Sequence, residues 1–244
     1  MSLESDVANL VTQTNALLTW FQARKTEIAA AVASAIAAVP EMSKIYYVNQ
    51  LTGDDSNAGT ATSPLKSIAK AVSNTPNAGL LTICLQTDYV HNSAGNFSQR
   101  QLNIVSDTGG TKRKLIIGYQ QSDSATYLGG FTPLAFGAVG LREITLVLPS
   151  PAGMAVQPFT AANSLLRIAG SSVVGMISLK LDACEVQAPG DFVGALIPSA
   201  GSAAVFESVN TSYPSGFGGR YIMGVASGTA SNTLSNVVTN LATL

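Results

Sequence analysis

Charged side chains are scarce in this chain of 244 residues. They make up 11% of the positions, where a typical soluble domain carries about 25%. The 13 Lys and Arg nearly balance the 14 Asp and Glu, so the formal net charge is -1 at pH 7. This balance offers no basic surface for a phosphate backbone, and we expect no nucleic acid among the partners. Since 46% of the residues are hydrophobic, we expect part of the surface to be buried against other copies of the chain.

Histidine and cysteine are also rare. The chain has one histidine, His91, and two cysteines, Cys84 and Cys184. A zinc site with two or more histidines is therefore excluded, and the two cysteines have no recognised zinc-ligand spacing. A nucleophile activated by histidine would have to use His91, which follows an apolar run and which we predict to be a surface or turn residue. We predict no catalytic residue, no metal and no cofactor, and two unpaired cysteines buried in strands.

Long hydrophobic runs are missing as well. A membrane-spanning helix needs about 20 consecutive apolar residues, but the best run, residues 28–39, is shorter and contains Ser34. Residues 1–7 include Glu4 and Asp6, where a secretory signal would be basic. We therefore expect that the chain does not insert into a membrane and that it is synthesised in the cytoplasm.

The first 40 residues carry a repeating apolar pattern instead. Apolar side chains recur in steps of three and four, which is a heptad seam that predicts a coiled-coil helix. The step from Thr14 to Leu18 interrupts this alternation as a stutter, and Pro40 is expected to end the helix. The predicted oligomerisation residues are Leu3, Val7, Leu10, Leu18, Phe21, Ile28, Val32 and Val39.

The heptad pattern alone does not show what packs against this seam. No second long helical pattern in the sequence can cover it, so we expect other copies of the same segment to do so, with a trimer as the favoured state. The alternative is an ordinary amphipathic helix that lies on the body of its own chain. Because the second half of the helix is rich in alanine, the spacing does not decide between a dimer and a trimer.

After residue 45 the pattern changes to short apolar runs bounded by Gly, Asn, Ser and Pro, which are typical of strands. Many runs are continuous rather than alternating, which indicates strands that are either buried on both faces or stacked in coils. We predict a mostly β fold: a short right-handed parallel β-helix, a β-sandwich or a trimeric intertwined β-structure. The predicted runs are 45–48, 80–85, 102–105, 115–119, 144–148, 165–168, 173–181, 192–197, 203–206 and 221–225.

The sequence thus divides into four predicted segments. Residues 1–40 form an attachment helix, 41–79 an opening turn with a capping helix, and 80–230 a β-rich shaft or body. Residues 231–244 form either a terminal helix or terminal strands. In the capping helix, Ser63 is the expected N-cap and Pro64 the first helical residue.

The second segment resembles a known family. It has YVN at residues 47–49, GDDSNAGT at 53–60 and SPLKSIAKAV at 63–72. This arrangement resembles the opening of right-handed parallel β-helix proteins of the pectate-lyase-like kind. There, such a turn and a short helix close one end of the strand stack.

Together with the heptad helix, the opening motif is similar to bacteriophage tail fibres and tailspikes. The resemblance implies a homotrimeric virion protein of the tail that is assembled in the host cytoplasm. Its implied role is to attach to the host or to link a fibre to the tail. The implied partners are other tail or baseplate proteins and a glycan on the host surface.

Cleavage of that glycan by a β-helix depolymerase, either a lyase or a glycoside hydrolase, is the alternative function. A glycoside hydrolase needs two carboxylates about 5 to 9.5 Å apart. Apart from Asp54 and Asp55, the closest acidic pair in the β region is Asp182 and Glu185, which flank Cys184 without a neighbouring His or Arg. We therefore predict a protein without enzymatic turnover.

The densest cluster of aromatic and Arg residues lies near the C-terminal end. Sugar binding uses aromatic platforms and hydrogen-bond donors on exposed loops. Tyr213, Phe217, Arg220 and Tyr221 are therefore the candidate receptor-binding residues. The alternative is that these side chains fill space beside glycine-rich turns.

Overall fold

The structure is a computed structural model that describes residues 2–98, 100–121, 124–134, 137–159, 163–167, 176–198 and 203–244. The chain forms two units, Met1–Met42 and Ser43–Leu244. The first is helical and the second is built mainly of parallel β sheets, so the prediction of a mostly β fold with one long N-terminal helix is confirmed. Within the described ranges, no helix combines the length and the apolar character that a membrane span requires.

The first unit contains the helix α1 (Leu3–Glu41). Glu4 and Asp6 lie in its first turn, where negative charge interacts favourably with the helix dipole. The helix ends one residue beyond the predicted end at Pro40, a difference that is common at fraying helix termini. Every described side chain from residue 2 to residue 36 is exposed.

The second unit consists of short strands and one short helix, α2 (Ile68–Ser73). The strands described are β1 (Ser43–Val48), β2 (Leu80–Leu85), β3 (Tyr89–His91), β4 (Ala94–Ser98), β5 (Gln101–Ser106), β6 (Arg113–Ile117), β7 (Tyr119–Gln121), β8 (Thr126–Leu128), β9 (Gly130–Leu134), β10 (Ala138–Arg142), β11 (Ile144–Val147), β12 (Ile177–Asp182), β13 (Glu185–Gln187), β14 (Ala204–Val209) and β15 (Val237–Thr239).

The strands stack in chain order. The large sheet has seven parallel strands in the order β1-β2-β5-β10-β12-β14-β15, and the small sheet has four in the order β3-β6-β11-β13. Between successive strands of the large sheet, from β2 to β14, the chain passes once through the small sheet. We call each such passage a layer. In addition, β4 pairs with β9 in parallel, and β7 and β8 form an antiparallel hairpin.

Single left-handed residues make the corners between the two sheets. Glu143, Ala183 and Asn210 follow β10, β12 and β14 directly and have φ angles of 53°, 53° and 49°. The corners also stack, because the Glu143 amide donates to the Asp182 carbonyl (3.0 Å) and the Ala183 amide donates to the Val209 carbonyl (2.9 Å). One residue is enough to redirect the chain, so the small sheet begins almost immediately after the large one.

The interior is a stack of aliphatic side chains in register. Along the large sheet, Ile83, Ile104, Leu141 and Leu181 are neighbours on successive strands and are at most 1% exposed. Burying each such side chain contributes about 1.5–3 kcal/mol. The strands alternate between buried and less buried positions, so the prediction of burial on both faces is wrong for the large sheet. We call the less buried side of the large sheet its outer face.

The opening segment differs from the predicted capping helix. The N-cap of α2 is Ser67, whose Oγ accepts from the Lys70 amide at 3.1 Å, and not Ser63. Leu65 is extended instead, because its amide donates to the Tyr47 carbonyl and its carbonyl accepts from the Asn49 amide. The Asp55 carboxylate then accepts from the amides of Lys66 and Ser67 and from the Ser67 hydroxyl, at 2.8–3.0 Å.

Three predicted runs are not strands. Parts of 165–168, 192–197 and 221–225 pair through isolated bridges, such as Phe131 with Leu166 and Ile197 with Ile222. They contribute buried side chains and two or three backbone hydrogen bonds between neighbouring segments. Of the run 173–181, residues 173–175 lie outside the described part. Residues 231–244 contain a single 3-10 turn and β15, consistent with the low helix propensity of their Ser, Thr and Asn.

Candidate functional site

The predicted oligomerisation seam is an exposed apolar surface on α1. The exposed fractions of its side chains range from 51% for Val7 to 80% for Leu3. The side chain of Val39 lies outside the described part. The members described are Leu3, Val7, Leu10, Leu18, Phe21, Ile28 and Val32.

The apolar surface of α1 is wider than this seam. Four more large apolar side chains, Val11, Leu17, Trp20 and Ile36, are 52–65% exposed. The Trp20 ring lies edge-on to Phe21 at 5.2 Å, and the Arg24 guanidinium lies over Trp20 at 5.5 Å. Burial of this apolar surface would stabilise the helix relative to its isolated form in water.

The four candidate receptor-binding residues lie together, mainly through packing. The rings of Tyr213, Phe217 and Tyr221 are mutually in contact, with centroids 5.0–5.2 Å apart. Phe217 is only 3% exposed and belongs to the core. The Tyr213 hydroxyl is 2.8 Å from Ser208 Oγ, and burial raises the pKa of Tyr213 and of Tyr221. Their assignment to a receptor stays a prediction.

Arg220 connects two loops. Its guanidinium donates to the carbonyls of Gly190 (3.0 Å) and Phe192, and it lies 5.5 Å from the centre of the Phe192 ring. These contacts hold the loop after β13 against the loop after β14. Arg220 therefore shapes the surface on which Tyr213 lies.

Two adjoining concavities of about 360 and 400 Å³ lie along these loops. Both volumes fall within the usual size range of ligand pockets, about 300–1,000 Å³. Together we call them the two-proline groove, because Ala188, Pro189 and Pro214 line both. The other lining residues are Val147, Leu148, Glu185, Val186, Gln187, Ser212 and Tyr213 in the first and Gly190, Ser215, Gly216, Phe217 and Arg220 in the second.

A third concavity of about 310 Å³ lies on the outer face of the large sheet. The strand register places Gly140 between Asn103 and Lys180, so this position lacks a side chain that the neighbouring strands have. A Cβ at Gly140 would lie 2.7 Å from Asn103 Oδ1. We call this concavity the Gly140 depression. It is lined by Thr82, Asn103, Val105, Gly140, Leu141, Arg142, Lys180 and Asp182.

Two exposed ion pairs border the Gly140 depression. Lys180 Nζ is 2.9 Å from Glu207 Oε1, and Arg142 Nε is 3.9 Å from Asp182 Oδ2. Exposed pairs of this kind contribute only about 0–1 kcal/mol to stability. They do bring two carboxylates and two cations to neighbouring strands, a grouping that sequence spacing could not indicate.

His91 is not the surface or turn residue that we predicted. It lies in β3, is 5% exposed, and stacks on Phe131 with the ring centres 4.6 Å apart. Its Nε2 is 3.0 Å from the Gly130 carbonyl oxygen, and burial lowers its pKa. The alternating pattern of β3 turns this side chain into the interior, where it has a packing role.

Asp182 and Glu185 lie on opposite sides of a corner. Asp182 ends β12 and Glu185 begins β13, with the left-handed Ala183 and the buried Cys184 between them. Glu185 accepts from Gln187 Nε2 at 2.7 Å, whereas Asp182 faces Arg142. Cys84 is only half-buried, so the prediction of burial is confirmed for Cys184 alone. Among the described residues, no cluster of three metal-ligating side chains occurs.

The comparisons with known proteins give weak structural likenesses only. No family model and no curated protein matches the sequence. The structure is similar to a rhamnogalacturonan lyase, with a TM-score of 0.40 and 10% identity over 69% of this chain and 56% of that one. It is also similar to the GH136 lacto-N-biosidase from Eubacterium ramulus, with a TM-score of 0.37 and 16% identity over 75% of this chain and 32% of that one. The chain thus spans about half and about a third of these two proteins, and neither likeness assigns an activity.

Proposed function

We propose that this chain is a homotrimeric attachment protein of the bacteriophage tail-fibre or tailspike type that binds a glycan on a host surface. The observation that carries the proposal is the exposed heptad seam of α1, which includes seven described apolar residues. A helix with such a surface gains stability by packing against identical helices. In this proposal α1 is the parallel coiled coil that anchors three copies.

The width of the apolar surface favours three copies over two. A helix in a trimer contacts two neighbours, so residues beside the seam are buried as well. Val11, Leu17 and Ile36 are apolar residues of this kind. In a dimer, most of their surface would stay in water.

The proposal assigns the second unit to a short right-handed parallel β-helix. Support comes from the parallel pairing in chain order and from the stacked corners at Glu143, Ala183 and Asn210. Right-handed connections between parallel strands are strongly favoured. A stack of this kind is a rigid spacer that places loops on its sides, which suits a protein that links a particle to a surface.

Location and partners follow from the same proposal. The protein would be assembled in the host cytoplasm and become part of the virion tail, in contact with other tail or baseplate proteins. Neither nucleic acid nor membrane insertion has a part in it. Binding of the host glycan would occur on the second unit and anchoring through α1.

The test is the mass of the full chain in solution. Light scattering should give three times the chain mass of 25.1 kDa. The double variant Leu10→Asp, Ile28→Asp places charge in the seam and should give the monomer mass. The matched control Asn9→Asp, Thr26→Asp adds the same charge on the side of the helix that faces away from the seam and should stay trimeric. A wild-type monomer at micromolar concentration would contradict the proposal.

Cleavage of the glycan is the second candidate, and the Gly140 depression favours it. Asp182 lines this concavity beside Arg142, and Glu207 on the neighbouring strand pairs with Lys180, which also lines it. Incubation with capsular polysaccharide and lipopolysaccharide should release no new reducing or unsaturated ends if the protein only binds. If ends appear and are lost in Asp182→Asn or Glu207→Gln, the depolymerase assignment is correct instead.

A further inference from the structure

We infer that the two-proline groove is the glycan-binding site and that it takes a chain of neutral pyranose sugars. This inference rests on the proposed attachment function, because it supplies the surface that would bind the receptor. It assigns the ligand to the side of the stack beyond the small sheet, away from the outer face of the large sheet. The Gly140 depression is therefore not the receptor site.

The groove contains two of three turns of the same type that recur along the chain, at 189–192 and 214–217, whereas the turn at 151–154 does not line it. The amides of Met154, Phe192 and Phe217 donate to the carbonyls of Pro151, Pro189 and Pro214, three residues earlier, at 3.1–3.2 Å. Phe192 and Phe217 are 2% and 3% exposed, so each anchors its turn in the core. The sequence repeat is Pro-x-x-apolar at 151–154, 189–192 and 214–217.

Backbone bonds keep these layers in register. The Leu148 amide donates to the Gln187 carbonyl and the Val186 amide to the Ser212 carbonyl, both at 2.8 Å. Neighbouring strands lie about 4.8 Å apart, so equivalent surfaces recur at this interval along the groove. An extended polymer lying across the layers therefore meets a repeating surface, which suits a glycan better than a compact ligand.

The floor of the groove is apolar and fixed in position. Ala188, Pro189, Pro214 and the half-buried Tyr213 present ring and methyl groups with little rotational freedom. Tyr213 is held by its ring contacts with Phe217 and by its hydroxyl contact with Ser208. Such a surface can pack against the C–H face of a sugar ring without losing much side-chain entropy on binding.

The edge of the groove is polar and already oriented. Gln187 Nε2 donates to Glu185 Oε1 at 2.7 Å, which fixes both side chains at the groove wall. A carboxylate offers about four acceptor positions, so Glu185 retains capacity for sugar hydroxyls. These hydrogen bonds would be charge-assisted and therefore strong.

The charges of the groove select against acidic sugars. Glu185 is the single charged residue that lines the first concavity, and a sugar carboxylate beside it would be repelled. Arg220 lines the second concavity, but its guanidinium donates to the Gly190 and Phe192 carbonyls. The ligand chemistry that fits is a hydroxyl-rich, uncharged hexopyranose chain.

The test is binding of the full-length protein to a printed array of neutral and uronic-acid-containing oligosaccharides from bacterial O-antigens and capsules. Gln187→Ala should bind neutral glycans about tenfold more weakly, the effect of losing roughly one hydrogen bond. Ser212→Trp, at an exposed position in the groove, should abolish binding. The matched controls Gln101→Ala and Ser235→Trp, at exposed positions elsewhere, should bind as wild type does.

Glu185→Gln gives a readout that a loss of folding cannot imitate, because it should increase binding to acidic glycans relative to neutral ones. The inference is overturned if the groove variants bind as wild type does, if wild type binds no glycan on the array, or if Lys180→Ala at the Gly140 depression is the variant that loses binding. A trimer without groove-dependent binding contradicts this inference alone. A monomer with groove-dependent binding contradicts only the trimeric assembly.

Discussion

The helix α1 and the strand stack differ in the burial of their apolar side chains. In the stack, Ile104 and its register neighbours are buried completely within one chain. In α1, residues of the same size such as Leu10 and Ile28 are more than 60% exposed. The stack therefore contains the interactions that stabilise its own fold, whereas α1 presents an exposed apolar surface that our proposal assigns to assembly.

The largest effect expected from this comparison comes from opening a cavity in the stack. Ile104→Ala removes a side chain that is 0% exposed and should lower the free energy of unfolding of the second unit by about 2–5 kcal/mol. Leu10→Ala should change it by less than about 0.5 kcal/mol, while weakening assembly.

Spectroscopy can separate the two regions in one urea titration. The single Trp is Trp20 in α1, and the seven Tyr all lie in the second unit. Near-ultraviolet circular dichroism of the tyrosines therefore reports the stack, and Trp20 fluorescence reports α1. Equal destabilisation of the stack by both substitutions would contradict the independence of the two regions.

The next effect concerns the opening segment, where Asp55 contacts the start of α2. Asp55→Ala removes three hydrogen bonds to Lys66 and Ser67 and should lower stability by about 2–3 kcal/mol. Its neighbour Asp54 is the matched control, because its carboxylate accepts from Ser56 within the same turn. Thermal unfolding should show a clear decrease in Tm for Asp55→Ala and little change for Asp54→Ala. A similar decrease for both would mean that the turn, and not its contact with α2, provides the stability.

A smaller, pH-dependent effect should come from His91. Burial lowers its pKa below the value of about 6.5 expected in the unfolded chain. The unfolded state then binds the proton more readily, so this contribution is complete above that value and is lost as the pH falls through the folded pKa.

Urea midpoints measured at about pH 7.5 and about pH 5 should therefore show a larger decrease for wild type than for His91→Phe. The phenylalanine keeps a ring against Phe131 but cannot take up a proton. An equal decrease in both proteins would show that other groups, such as carboxylates, account for the acid sensitivity.

The smallest effect is expected on the outer face of the large sheet. Gly140→Ala would place its Cβ 2.7 Å from Asn103 Oδ1, but that atom is at the end of a flexible side chain. We expect the free energy of unfolding to fall by about 1 kcal/mol or less. The double variant Asn103→Ala, Gly140→Ala should restore it. If the double variant is also less stable than wild type, the destabilisation arises from the backbone of β10 and not from the Asn103 side chain.

The sequence indicated α1 better than it indicated the stack. The heptad spacing depends on residues within 40 positions, and its apolar members are on the predicted helix. In the stack, the approximate positions of β2, β5, β12 and β14 were predictable from local apolar runs. The shorter β3, β4 and β13 were missed, because three to five residues carry too little periodicity.

The candidate sites depended on register between distant segments. Gly140 borders Asn103 and Lys180 only because three strands from different parts of the sequence align. His91 was assigned to the surface or a turn because it follows an apolar run, although the pairing of β3 with β6 turns it inward. The Pro-x-x-apolar repeat at 151–154, 189–192 and 214–217 was a signal present in the sequence and could have indicated the groove.

The most direct test of the account is native mass spectrometry of the full chain over a range of micromolar concentrations. The account predicts a single species of three times 25.1 kDa, converted to monomer by Leu10→Asp, Ile28→Asp with the tyrosine circular dichroism unchanged. A wild-type monomer at every concentration, with the same tyrosine signal, would contradict it.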